Sequence, residues 1–149
     1  YGGNEIYKGK KFMIIKLGTE ADKNYILEKY PHTSQVIYGD GYLVTACEND
    51  EIIGFAWTFT REIPIVNKTE DFINVIDIFS EENRRKGIAS LMVQKIIELA
   101  REHGSYQVRA YCDINNVSSH MLWLKNGFSI SPVKMPDNQI VGSYVAYVL

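Results

Sequence analysis

Phe79-Ser80-Glu81-Glu82-Asn83-Arg84-Arg85-Lys86-Gly87-Ile88-Ala89 joins an apolar run to an amphipathic one. Upstream, Phe72–Phe79 is apolar on both faces, the pattern of a central strand covered on both sides. Downstream, Ile88–Ala100 puts Ile88, Leu91, Met92, Ile96 and Leu99 on one helical face and Gln94, Glu98, Arg101 and Glu102 on the other. The spacing therefore predicts strand, loop, helix. A helix start leaves backbone N–H groups unpaired and carries partial positive charge, which suits a pyrophosphate. Gly87 lets the backbone approach a ligand, Ala89 is small, and Arg84, Arg85 and Lys86 add local positive charge. The same residues also read as a solvated basic loop with a glycine turn, because short glycine motifs are weak alone. Two other phosphate devices fit poorly. A P-loop needs Lys-Ser/Thr after its last glycine, where this chain has Ile88-Ala89, and a dinucleotide fingerprint needs three glycines.

Around this stretch the chain reads as strands and helices in the order β-α-β-β-β-α-β-α-β-β. Phe12–Leu17 is a strand. Thr19, with Asp22 three residues on, starts a helix that runs to about Tyr30 and stops before Pro31. Tyr42–Cys47 and Ile52–Thr60, joined by Glu48-Asn49-Asp50-Glu51, form a hairpin. His103-Gly104 ends the long helix, Tyr106–Cys112 is the next strand, and Asn116 to Lys125 a short helix ended by Asn126-Gly127. Phe128–Ile130 and Tyr144–Val148 are the last strands. Early hairpins and central strand–helix units imply an α/β (α+β) mixed sheet with helices on its faces.

With 149 residues and neither repeat nor linker, the chain reads as one domain spanning 1–149. The segment 1–11, rich in glycine and lysine, reads as a tag-like or extended stretch outside the fold. Hydrophobic residues at 46% and charged residues at 23% are those of a soluble globular protein. The formal net charge of −2 offers no field for nucleic acid, so a nucleic-acid role for Arg84-Arg85-Lys86 is disfavoured. Runs such as Phe12–Ile15 and Val75–Phe79 are too short to span a bilayer. Cys47 and Cys112 read as buried reduced thiols of a cytoplasmic protein. His32, His103 and His120 show no metal-ligand spacing, and no metal is expected.

Arg84-x-x-Gly87-x-Ala89 after a strand resembles the Q/R-x-x-G-x-G/A signature of the GCN5-related N-acetyltransferase (GNAT) family. Asn116, Ser119, Trp123 and Gly127-Phe128 resemble that family's later motif of an Asn, a small residue three on, an aromatic seven on, then Gly-Phe. The likeness covers Phe72–Phe128 by motif and the remainder by topology. It implies a GNAT-like fold in which the strands at Phe72–Phe79 and Tyr106–Cys112 are parallel neighbours that splay apart. It implies acetyl-CoA as co-substrate, its pyrophosphate held by Arg84, Arg85, Lys86, Gly87, Ile88, Ala89 and Ser90. The pantetheine arm would lie in the wedge against backbone groups near Ile78, Phe79 and Ser80, and Asn116, Ser119 and Trp123 would also contact the cofactor. The implied activity is N-acetyl transfer to a primary amine by direct attack in a ternary complex, the acceptor being a small molecule or a peptide. Homodimers are common in the family, and no interface is legible here.

Two departures bear on chemistry. The aromatic seven after the Asn is usually a tyrosine able to protonate the leaving thiolate. Trp123 stands there, and an indole N–H is no acid at neutral pH. Ser119, Tyr111 and His120 are the other groups in reach of that role, and Trp123 equally reads as core packing. The loop before Arg84 is one residue shorter than in many relatives. For the amine, Asp77 interrupts an apolar strand and is the first candidate base, or a carboxylate satisfied by an arginine such as Arg109. Glu62, Glu70 and Asp71 flank the same region as lining for a cationic acceptor. A non-catalytic acyl-CoA-binding regulatory module is the alternative that Trp123 keeps open. Cys112 as a covalent acyl carrier requires a neighbouring base that sequence does not show.

Overall fold

The computed structural model describes residues 4–8 and 11–149. Local sequence accounts for most elements. Strand β2 (Lys11–Leu17) leads to helix α1 (Glu20–Lys29). There Thr19 Oγ1 accepts from the Asp22 N–H at 3.1 Å and Asp22 Oδ2 accepts from the Thr19 N–H at 2.9 Å, a closed capping box. A 3-10 turn at Pro31–Gln35 follows. Strands β3 (Gly41–Glu48) and β4 (Glu51–Ile63) pair through Glu48 and Glu51. Their two-residue turn, Asn49-Asp50, has φ of 51° and 66°. Such left-handed turns match the twist of the strands they join, and Asn and Asp tolerate them. Strand β5 (Lys68–Ile78), a 3-10 turn at Glu81–Asn83, and helix α2 (Ile88–His103) complete the strand–loop–helix unit. Strand β6 (Gln107–Asp113), helix α3 (Val117–Lys125), and strands β7 (Ser129–Lys134) and β8 (Ile140–Val148) close the chain. Asn4–Lys8, within the segment expected outside the fold, forms strand β1 along β2. No helix among the described residues is long and apolar enough to cross a membrane.

Among the described residues the strands form one mixed sheet in the order β1-β2-β3-β4-β5-β6-β8-β7. Every pairing is antiparallel except β5 with β6. That parallel ladder is short: Glu70 to Ile73 against Gln107 to Ala110. Past Ile73 and Ala110 the two strands part, while β5 stays paired to β4 up to Ile78 and β6 stays paired to β8 up to Asp113. The splay expected from the family resemblance is therefore present. It begins at an irregularity in β5. Trp57 faces Val75 and Thr58 faces Ile73, so Asn74 is an extra residue, and its Nδ2 donates to Val36 O at 2.9 Å.

Two cores cover the sheet. One side packs α2 and Trp123 of α3 on Met13, Ile15, Ile73, Ile78, Val108 and Ala110. The other packs Ile26 of α1 and Ile37 on Leu43, Phe55 and Trp57, with Val75 and Phe79 at its margin. At the closed end of the wedge lie two buried carboxylates, on opposite faces. Asp71, 0% exposed, accepts from Tyr42 Oη and Ser105 Oγ, each at 2.6 Å, and from Thr60 Oγ1 at 3.2 Å, with His103 Nδ1 also at 3.2 Å. Burial first, and then the Asp71 carboxylate, pushes the Tyr42 phenol well above its ordinary range, so it remains a hydrogen-bond donor. Glu70 accepts from Arg61 Nε at 2.9 Å and Gln107 Nε2 at 2.7 Å, with Arg109 Nη1 at 3.6 Å.

Removing the Asp71 carboxylate strands its donors, of which Ser105 is buried and Tyr42 partly buried. Asp71→Ala is expected to destabilise the fold by about 3 kcal/mol. The check is the urea midpoint at unchanged m-value, and a loss below about 1 kcal/mol would refute the hub.

Candidate active site

The cradle is built by α2 and the turn before it. Gly87 is the N-cap of α2 with φ 79°, Arg85 has φ 60°, and no side chain caps the helix. The N–H groups of Ile88, Ala89 and Ser90 therefore lack helical partners and point out of the helix end. A Cβ built on Gly87 would meet nothing within 4 Å, so open space lies over the cap. An anion fits: donors, a dipole end, and room for a phosphate against bare backbone. The turn at Glu81–Asn83 consumes two other amides, since Asn83 N–H bonds to Ser80 O and Arg84 N–H to Glu81 O, each at 3.1 Å. Ser80 Oγ also receives Asn83 Nδ2 at 2.7 Å. The Arg84 side chain turns back toward β5. Its Nε and Nη2 donate to Ile78 O at 3.3 and 3.2 Å, and its Nη1 pairs with Glu81 at 2.8 Å. Arg85 and Lys86 are exposed beside the cap.

The wedge supplies a strand edge. Phe79 N–H bonds to Ile53 O at 2.9 Å, so this residue faces β4 with its backbone. Alternation then turns the backbone groups of Ile76 and Ile78 toward the wedge. Of the backbone groups expected near Ile78, Phe79 and Ser80, that of Ile78 faces the open side. The Phe79 ring instead stacks on Tyr30 at 3.9 Å between centroids and forms wall.

The catalytic candidates fall on both faces. Asp77 shares the α1 face with Val75 and Phe79, is half-buried, and makes no side-chain hydrogen bond or ion pair with the described residues. Arg109, weighed as its partner, lies instead beside Glu70. Glu70 and Asp71, weighed as acceptor lining, are 3% and 0% exposed at the closed end, about 20 Å along the strand from Asp77. Tyr111 lies across the wedge on the Asp77 face, since its neighbours Ala110 and Cys112 face the α2 core. Its hydroxyl donates to Val141 O at 3.2 Å. Ser119 and Trp123 lie on the opposite face, in α3. Trp123 is 3% exposed, packs on Phe128 with centroids 4.9 Å apart, and donates its indole N–H to Ser119 Oγ at 2.9 Å. The Ser119 hydroxyl hydrogen thus stays available. The Asn116 side chain caps α3 by accepting the Ser119 N–H at 3.0 Å, and Ser90 Oγ accepts from Asn126 at 3.1 Å.

Gly87→Glu places a carboxylate over the unpaired amides. It is expected to abolish coenzyme A binding by calorimetry while Tm falls by only a few degrees, the strain of one left-handed residue. Unchanged affinity would dismiss the cradle.

The model of the Acetyltransferase (GNAT) family matches residues 13–128. A curated relative, GCN5-related N-acetyltransferase 4, chloroplastic, from Arabidopsis thaliana, is 26% identical over 105 residues, which is 70% of this chain. The chain spans 34% of the length of that relative. Among solved structures, Arabidopsis thaliana NAA60 in complex with a bisubstrate analogue superposes with a TM-score of 0.71 at 14% identity, over 91% of this chain and 97% of that one. The ribosomal-protein-alanine N-acetyltransferase of Brucella melitensis gives 0.69 at 17%, over 91% and 99%. The putative acetyltransferase yncA of Salmonella typhimurium, with acetyl-CoA, gives 0.68 at 18%, over 91% and 93%. At these identities the structures speak to the fold, which is shared nearly end to end. With a family model matching most of its length and both family motifs in place, the chain belongs to the GNAT acetyltransferase family.

Proposed function

We propose that this chain moves an acetyl group from acetyl-CoA to a primary amine by direct attack within a ternary complex. The observation that carries this reading is the conjunction of an uncapped α2 N-terminus with a strand edge that no neighbouring strand pairs, on one wall of the same wedge. The amides of Ile88, Ala89 and Ser90 hold the pyrophosphate. The Ile76 backbone groups and the Ile78 N–H take the amides of the pantetheine arm as an added strand would be taken, the Ile78 carbonyl being held by Arg84. A backbone N–H of that edge polarises the acetyl carbonyl and receives the charge that grows on its oxygen. Arg84, bonded to Ile78 O, ties the cradle to this edge.

The amine enters from the α1 face. Asp77, a carboxylate without a side-chain partner among the described residues, accepts the ammonium proton directly or through water and favours a cationic acceptor. The acceptor class is a small-molecule or peptide amine. The amine lone pair then attacks the carbonyl carbon, and the C–S bond breaks. Trp123 provides no proton to the thiolate. Ser119, whose oxygen is already occupied by the Trp123 N–H, turns its own hydrogen toward the leaving sulfur, with water as the proton source. The buried, acid-free Trp123 is also the specific observation that favours a second reading, a non-catalytic acyl-CoA-binding module.

Thiol release from acetyl-CoA against a panel of amines separates the two. Turnover with one amine class is expected, and Asp77→Asn should lower kcat about a hundredfold with coenzyme A affinity unchanged. A variant within twofold of the parent would remove Asp77 as base. Tight coenzyme A binding with no turnover on any amine would favour the module.

A further inference from the structure

Helix α3 departs from the pattern of a surface helix. Its inner face carries Trp123, buried on Phe128. The outer face of such a helix is ordinarily polar, as that of α2 is with exposed Gln94, Arg101 and Glu102. On α3, Val117, Met121 and Leu124 are instead 69%, 61% and 56% exposed. Steps of four and then three residues put the three in one stripe along the helix. Strand β7, which α3 contacts, adds exposed Ile130, turned to the same side of the sheet as its buried partner Val145. Single apolar side chains on a surface are ordinary, but a stripe of three on a nine-residue helix marks an interaction surface.

Charge and symmetry indicate what covers the stripe. The chain enters α3 past exposed Asp113 and leaves it at exposed Lys125, and Met121 is the middle residue of the helix. A two-fold axis at Met121 lays a second α3 antiparallel on the first and brings Lys125 of each copy to the Asp113 end of the other. The surface is thus complementary to itself. An anionic lipid surface calls for a basic rim, whereas here one carboxylate and one ammonium balance. We propose that the α3 stripe is the contact face of a homodimer, in which two chains pack α3 on α3 antiparallel about an axis at Met121. Val117, Met121 and Lys125, each four residues apart, form the ridge that lies between the ridges of the second helix. A patch of this extent is smaller than the interface of an obligate dimer, so the pairing is weak and joins folded monomers. Pairing through α3 requires nothing of the cradle or the wedge, and mass alone reads it.

Sedimentation equilibrium over about a hundredfold range of protein concentration provides the test. The average mass of the parent is expected to rise from that of one chain toward twice that value. Met121→Asp and Leu124→Asp are each expected to stay at one chain throughout, with a thermal midpoint within about 2 °C of the parent, as suits exposed positions. Lys125→Glu sets like charges together at both ends of the pair and is expected to weaken the dimer about fivefold, as is Asp113→Lys. The double variant Asp113→Lys with Lys125→Glu is expected to return to within about twofold of the parent, a recovery that only two antiparallel copies of this chain produce. A parent that stays monomeric at every concentration, a dimer that survives both aspartate variants, or a double variant no tighter than the singles would each overturn the proposal. Adsorption of a monomeric parent to phosphatidylserine–phosphatidylcholine vesicles, lost in Met121→Asp, would assign the stripe to lipid and overturn it likewise.

Discussion

The parting of β5 from β6 is the constraint on which the site depends. A sheet strand normally satisfies its N–H and C=O groups on both sides, and an unpaired inner edge is unfavourable unless something else takes those groups. Here each strand keeps its outer partner, β4 for β5 and β8 for β6, while the inner edges open after four paired positions. The extra residue Asn74 starts the divergence and is held by Val36 O, so the bend is anchored to the α1 side.

The closed end resists the opening. Asp71 ties β3, β4, β5 and the end of α2 on one face through Tyr42, Thr60, Ser105 and His103. Glu70 ties β4 and β6 to β5 on the other face through Arg61, Gln107 and Arg109. Burying two carboxylates side by side is costly, and each is offset by donors that converge on it. Arg61 also lies over the Phe72 ring at 4.1 Å, so the strap packs as well as pairs. The wedge is thus a hinge of fixed position, clamped on both faces at its apex and open at the end where α2 begins.

The sheet then divides the chemistry. On the α2 face lie the helix end, Trp123, Ser119 and the Cys112–His120 pair. On the α1 face lie Asp77, Tyr111 and the aromatic wall of Tyr30 and Phe79. In the proposed reaction the cofactor arm and the acceptor would approach from different sides and meet at the gap between the strands.

The sequence by itself determined what depends on short chain separations: the capping box at Thr19, the Asn49-Asp50 turn, and the α2 helix with Gly87 at its start, the place proposed to hold an anion. The family followed because two such local motifs stand in order. Boundaries shifted by a few residues, as β5 begins at Lys68 and α2 runs on to His103, because pairing and packing extend elements past their most apolar residues. The tertiary structure alone decided which carboxylates are structural and which face the site. Glu70, Asp71 and Asp77 look alike in a strand, yet register puts the first two among donors and leaves Asp77 without one among the described residues. It also separated Tyr111 from Ser119, turned Arg84 back onto Ile78, and brought His120 to Cys112. Each of these rests on strand order, on a one-residue bulge that changes facing, or on a helix docking across the sheet. Such relations join residues far apart in the chain, and no local pattern encodes them.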